Sequence, residues 1–408
     1  MLFPRNVALW VVAASYGLSS MGDQMAMVSL TLRFHDQGRS GAMIAALVVA
    51  GVIPLVVVGP LAGPLVDRVD GRRLIVVVTA LQALAAAGTA VFEDAGTTIG
   101  LLVLLGAGTA LASPALQLLV PRLTGDGSAT GGYARLETFR TGGNVAGPAL
   151  AGLLVAATDA RVALLVDAAT FVVMAAAFLF LPVPGRRGPS VRTDTGWAAQ
   201  VRRGVGVLAG DRLLRTAIGA LAGAIVFTAV LGVARVFFVR DELHASDTGY
   251  GWLVTAHTVG MLLSSLLLAP RIPLSRQPRV LVGAGILMGA ALVGTARVPV
   301  FAVALIAFVL TGVANSLQGL AIRNLIHDRV PPEVRGRAFA TSGAVLNGAH
   351  LAGTALGGPA AGLLGGDGAL QLAGAGTLLA TLAAAPALVK RPGPSVAATS
   401  PVAATDER

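Results

Sequence analysis

Cysteine is absent from the 408 residues, which excludes a disulfide framework and a thiolate metal centre. Lysine occurs once, at Lys390, so the chain has no Gly-x-x-x-x-Gly-Lys loop with which to grip ATP. Neither His-Glu-x-x-His nor Gly-x-Ser-x-Gly occurs, which removes the zinc-protease and hydrolase-elbow readings. Charged residues reach only 12% and aromatics 5%, whereas 55% are hydrophobic. That balance lies outside the range of soluble domains and points to a polytopic membrane protein, not an enzyme. The formal charge of +10 would suggest nucleic acid in a soluble chain, but the arginines lie at the ends of apolar runs, so no nucleic-acid partner is expected.

Windows of about 20 apolar residues predict spans near 8–32, 41–66, 73–92, 97–120, 136–157, 161–182, 215–238, 249–270, 279–297, 299–322, 338–364 and 368–389. The first is read as a retained helix, because it lacks a small-residue cleavage site and exceeds signal-peptide length. With both termini in the cytoplasm, Arg33, Arg39, Arg161, Arg235, Arg240 and Arg297 face outward and every other basic residue faces inward. The positive-inside rule therefore selects that orientation. Arg235 and Arg240 are expected to snorkel at the outer end of the seventh span. Few lysines beside abundant Arg, Ala and Gly suggest a GC-rich bacterial genome, and hence a multi-pass protein of the bacterial inner (plasma) membrane.

The polar stretch 183–214 divides the spans six and six. Trp197, Val201, Val205 and Leu208 recur at helical spacing, which predicts an amphipathic helix on the inner leaflet. The expected organisation is therefore an N-terminal bundle over 1–182, a cytoplasmic linker over 183–214, a C-terminal bundle over 215–389 and a disordered tail over 390–408. A repeat supports it. Gly143-Asn-Val-Ala-Gly147-Pro148-Ala-Leu-Ala-Gly152 is echoed by Gly353-Thr-Ala-Leu-Gly357-Gly358-Pro359-Ala-Ala-Gly362, as parallel repeats in transporters require.

The loop Gly63-Pro-Leu-Val-Asp67-Arg68-Val-Asp70-Gly71-Arg72-Arg73 resembles the Gly-x-x-x-Asp-Arg-x-Gly-Arg-Arg signature of the major facilitator superfamily. Asp70 stands where glycine is usual, a form that resembles the enterobactin-exporter and macrolide-efflux branch. Asp328-Arg-Val-Pro-Pro-Glu-Val-Arg335-Gly-Arg337 resembles a second loop of that branch. Gly143, Gly147, Pro148 and Gly152 match the antiporter signature Gly-x-x-x-Gly-Pro-x-x-Gly-Gly, with Ala151 replacing one glycine. The resemblance implies an all-α fold of twelve transmembrane helices in two six-helix pseudo-symmetric bundles. Helices one, four, seven and ten would line a central cavity, with two, five, eight and eleven at the interface. It further implies a monomer in the lipid bilayer that exports an amphipathic small molecule of the drug or siderophore class. Alternating access would be driven by proton antiport, with the proton gradient as energy source and no cofactor or metal. Proton-coupled import of a small metabolite, and a membrane sensor without flux, remain as alternatives.

Charges at membrane depth are costly and so become functional candidates. Asp23 lies about 15 Å inside the first span at 1.5 Å per residue. Tyr16, Ser20, Asp23 and Met27 share its face, with Gln24 adjacent. Gln117, Asn144, Asn315 and Gln318 are further cavity candidates. His257 and His350 are read as packing residues, and Asp167 as an interhelical hydrogen-bonding residue. Asp67, Arg68, Arg72, Arg73, Glu137, Arg140, Arg335 and Arg337 are expected to pair as gating charges at inner helix ends. Gly143, Gly147, Pro148, Gly152, Gly358 and Pro359 would form a hinge or a tight seam, because small residues admit close approach and proline removes a backbone hydrogen bond.

Overall fold

The computed structural model describes residues 5–58, 69–124, 129–180, 205–206 and 208–389. Among them no strand is found; the elements are helices. They are α1 (Arg5–Asp36), α2 (Gly41–Val57), α3 (Gly71–Val91), α4 (Ala95–Thr124), α5 (Ala129–Ala157) and α6 (Ala160–Phe180). There follow α7 (Arg212–Glu242), α8 (Asp247–Arg271), α9 (Gln277–Arg297) and α10 (Phe301–Arg329). A continuous run, Pro332–Val389, is broken by Gly365 into α11 (332–364) and α12 (366–389). Twelve helical segments therefore correspond to the twelve predicted spans. Eight described helices are long and apolar enough to cross a membrane, with Val334–Val389 counted as one of them.

The boundaries follow local chemistry. Asp70 accepts from the backbone N–H of Arg72 and Arg73 at 3.0 and 3.1 Å and starts α3, and Asp211 does the same for Leu213 and Leu214 at α7. Such caps satisfy donors that a helix start leaves open. Gly38 takes φ 64° in the turn after α1, a conformation that glycine adopts without steric cost. The last turn of α7, Phe238–Glu242, is π-helical, as is Ser264–Leu268 in α8. Several helices run longer than hydropathy indicated: α5 begins at Ala129 and α11 at Pro332.

Two compact units are distinguished: Met1–Arg192 with Gly232–Thr258 and Gly357–Gly366, and Thr193–Leu231 with Val259–Leu356 and Asp367–Arg408. In the first, α1 packs along α5 and α6, α3 along α4 and α6, and α2 along α4. Its core includes Leu9, Val12, Ile75, Leu116, Leu119, Met174 and Phe178. In the second, α9 packs along α10, and Leu214, Leu221, Leu281, Ile322 and Leu325 form the core. Gly63, Asp67 and Arg68, most of the 183–214 linker and the tail after Val389 lie outside the described residues.

Candidate functional site

A cavity of about 470 Å³ opens in the first unit between α1, α4 and α5. Tyr16 comes from α1, Ser113, Leu116 and Gln117 from α4, and Tyr133, Leu136, Glu137 and Arg140 from α5. Tyr16 hydrogen-bonds Ser113 and stands in the electrostatic field of Asp23 as well as of Glu137 and Arg140. Arg140 grips Glu137 in a two-pronged pair, Nε to Oε2 at 2.9 Å and Nη2 to Oε1 at 2.5 Å. This is the local bridge expected from their i, i+3 spacing. Tyr133 donates to the backbone oxygen of Gln117 at 3.1 Å, tying α5 to α4 beside the cavity. Arg135 covers the Trp10 ring at 4.9 Å, and Trp10 meets Phe139 edge-on at 5.9 Å. A wall with two phenols, a neutralised ion pair and aliphatic carbons suits a large molecule carrying scattered polar groups.

Asp23 is exposed on this unit, while Gln24 and Met27 are half-buried. Ser20 is buried and its hydroxyl donates to the Tyr16 carbonyl at 2.9 Å. Within the predicted face, Ser20 thus satisfies the helix backbone, whereas Asp23 keeps accessible surface. Asp167 of α6 lies in the field of Asp23 and is 1% exposed. Its Oδ1 has no hydrogen-bond partner, so the expected interhelical hydrogen bond from that atom is absent. The absence of a side chain at Gly22 makes room for it: a Cβ there would collide with Asp167 Oδ1 and lie 2.5 Å from Thr170 Oγ1.

The glycine–proline stretch meets two helices. Gly143 and Gly147 lie against the α1 backbone at Gly17 and Met21, and Gly152 lies against α8, where a Cβ would be 2.6 Å from Asp247 O and 3.1 Å from Gly251 Cα. Pro148 is buried within α5, and its carbonyl approaches Gly251. On the echoing stretch, Gly358 of α11 packs on α2, 2.6 Å from the oxygen of Gly41 by the same measure, while Pro359 is exposed. The pairs α5–α8 and α2–α11 are thus reciprocal, as a twofold repeat requires.

Among the gating candidates, Arg72 caps a helix end: its Nε and Nη2 donate to the carbonyls of Phe178 and Leu179 at 2.8 and 2.6 Å. Unpaired carbonyls at a helix C-terminus attract a cation for that purpose, so Arg72 ties the start of α3 to the end of α6; its expected loop partner Asp67 lies outside the described residues. Arg73 is exposed. Arg335 donates to Val330 O at 3.3 Å and lies 3.3 Å from His327 Nε2, joining α11 to the end of α10; Arg337 is half-buried. The sequence did not signal the ion pair of Arg329 with Asp211 at 3.3 Å, which ties the end of α10 to the start of α7.

Asn144 of α5 is half-buried and Asn315 of α10 is exposed. Gln318 is 5% exposed and borders a gap of about 10 Å³ inside the second unit, among Leu221, Leu281 and Thr381. That space has room for about one bound water at most. Arg235 and Arg240 both find partners within the protein. The guanidinium of Arg235 lies 5.6 Å from the Tyr250 ring centre, and Arg240 pairs with Asp36 at 3.0 Å and Asp247 at 3.2 Å. The predicted span ended at 238, whereas α7 continues through its π-helical turn to Glu242, with Arg240 in that last turn.

The Major Facilitator Superfamily model matches residues 12–238 and 216–405. An uncharacterized MFS-type transporter, YfiS of Bacillus subtilis (strain 168), is 24% identical over 369 residues, 88% of this chain and 87% of that protein. Macrolide efflux protein A of Enterococcus faecalis is 22% identical over 323 residues, 75% of this chain and 97% of that protein. Among solved structures, the nucleoside transporter NupG superposes with a TM-score of 0.79 at 12% identity, covering 95% of this chain and 100% of its own. A bacterial homologue of the human lysosomal transporter Spinster, in an inward-facing and unoccupied conformation, gives 0.66 at 15% identity, with 95% of each chain covered.

Proposed function

Because the chain belongs to the major facilitator superfamily, we propose that it is a secondary active exporter of amphipathic small molecules driven by proton antiport. The observation that carries this reading is the placement of Tyr16, which shares its electrostatic surroundings with the exposed Asp23 on one side and with the Glu137–Arg140 pair of the cavity on the other. Cargo entering that cavity would alter the field at Asp23, and a change in the proton occupancy of Asp23 would alter cargo binding in return, because linkage is reciprocal. The macrolide efflux relatives favour export of a bulky amphipathic compound. In this reading both termini are cytoplasmic, the protein is a monomer in the bacterial inner membrane, and the only partners are the cargo and the surrounding lipid.

The test is dye-reported proton movement in everted vesicles energised by respiration, with lipophilic drugs and siderophores added to wild type and to Asp23→Asn. Proton release by wild type that is lost in Asp23→Asn supports antiport through Asp23. Release that persists in the variant removes Asp23 from the coupling path. Uphill uptake of a nucleoside or another metabolite by intact cells would replace export with import.

A further inference from the structure

The end of α1 and the end of α7 carry a charge cluster outside the cavity and beyond the apolar run 8–32. His35 Nε2 lies 3.1 Å from Asp241 Oδ1, and His35 Nδ1 lies 3.7 Å from Asp36 Oδ1. Arg240 bridges Asp36 at 3.0 Å and Asp247 at 3.2 Å. The His35 ring meets Phe237 edge-on with centroids 5.2 Å apart. Below the cluster, Phe34, Phe238 and Val239 are completely buried. The contact thus seals an apolar layer under a polar rim.

The charged groups facing His35 are Asp36 from its own helix and Asp241 from the π-helical turn of α7. Arg240 is engaged by Asp36 and Asp247. Histidine alone among these groups ordinarily changes charge near neutral pH. Asp36 raises its proton affinity most, burial takes part of that back, and Asp241 raises it again, leaving it above the ordinary value. Asp36 sits on α1 and stays beside His35 whatever α7 does. Asp241 is beside His35 only while the two helix ends touch.

We propose that His35 and Asp241 form a proton-dependent latch that holds the ends of α1 and α7 together on the outer side of the membrane. Arg240, with Asp36 and Asp247, supplies a part of the same closure that does not depend on protons near neutral pH. This rests on the orientation adopted above, with both termini cytoplasmic. A proton held more tightly in the closed arrangement stabilises that arrangement. The stabilisation is complete below the proton affinity His35 keeps beside Asp36 alone and is lost as pH rises through the value it has with Asp241 in place. Acid outside therefore keeps the outer end shut and restrains idle proton entry, and alkalinity loosens it.

The absence of cysteine permits a direct test on the full chain without any cargo. Val239→Cys, buried under the latch, is labelled in right-side-out vesicles by a membrane-impermeant maleimide. Its rate is divided at each pH by that of Gly96→Cys, an exposed site in the first turn of α4, which removes the intrinsic pH dependence of thiol reactivity. The ratio is expected to rise about 3- to 10-fold from about pH 6 to pH 9. It should be flat and high in His35→Gln and in Asp241→Asn, and higher at every pH but still sloped in Arg240→Gln. A ratio independent of pH in the otherwise native chain, or an unchanged slope in both His35→Gln and Asp241→Asn, overturns the latch. Labelling of Gly96→Cys only in everted vesicles overturns the orientation on which it rests. Failure of the export reading would show in the flux assay and would leave these ratios untouched.

Discussion

The backbone oxygen of Met21 on α1 lies 2.6 Å from the position a Cβ would take on Gly147 of α5. The two helices therefore meet backbone to backbone, and no side chain fits without separating them. Gly147→Val is expected to lower stability by about 1–3 kcal/mol, the usual cost of overpacking. The check is the melting temperature in detergent, which should fall by a few degrees or more relative to wild type. Unchanged melting would mean that α1 and α5 separate freely and do not form a tight seam.

Gly22 and Asp167 make a second close approach, with different consequences for the two partners. Because Asp167 Oδ1 already lacks a hydrogen-bond partner, Asp167→Asn is expected to leave expression and melting close to wild type. Gly22→Ala, which would drive a methyl into Asp167 and Thr170, is expected to cost about 1–3 kcal/mol. Parallel thermal denaturation of the two variants checks the asymmetry.

Asp211 performs two tasks, capping α7 and pairing with Arg329. Asp211→Asn retains an amide oxygen suited to the cap and loses only the charge, whereas Asp211→Ala loses both. The alanine variant is expected to be less stable than the asparagine variant by about 1 kcal/mol, the typical worth of an N-cap. Equal melting of the two would remove the cap from the account.

These cases show what the sequence made legible. Hydropathy located the twelve spans because each needs an uninterrupted apolar run, and the glycine–proline stretch announced close packing because nothing else explains so many small residues on one helix. The partners could not be read. Arg72 finds its acceptor carbonyls 106 and 107 positions away, and Arg240 finds Asp36 at a separation of 204; no local period encodes either. Tyr133 was missed because an aromatic near a helix start gives no sign that it will border a cavity. The π-helical turn ending α7 escaped detection too, since one extra residue per turn leaves the composition unchanged.

Glu137→Gln addresses the cavity. The Glu137–Arg140 pair is substantially exposed, so its loss is expected to change stability by no more than about 1 kcal/mol. Removing the carboxylate leaves Arg140 beside the cavity with its charge uncompensated by that partner. Cationic compounds should then be transported less well than neutral ones of similar size, as measured by paired efflux assays. An unaltered preference would place the pair outside the cargo path.

Stability should also depend on pH through the α1 terminus. Asp36 is held below the usual carboxylate range, first by His35 and then by Arg240, with burial opposing them. Its contribution is present above the ordinary value of about 3.9 and is lost as pH falls through the lowered one. His35 contributes in the opposite sense, fully below about 6.5 and progressively less as pH rises. Melting temperature is expected to be highest between about pH 4 and 6.5, and His35→Gln should flatten the alkaline limb and also weaken the acid one, which Arg240 then carries alone. A series of melting curves across buffers tests both limbs.

Gly365, with φ 73° and ψ −178°, turns the chain from α11 into α12 within a single residue, in a region of backbone space open almost solely to glycine. Its neighbour Gly366 leaves no room for a side chain against Phe238. Such a joint has no slack. An epitope tag or protease site inserted between residues 364 and 367 would have to force two helix ends apart, so this connection is a poor place for tools that ordinary surface loops accept.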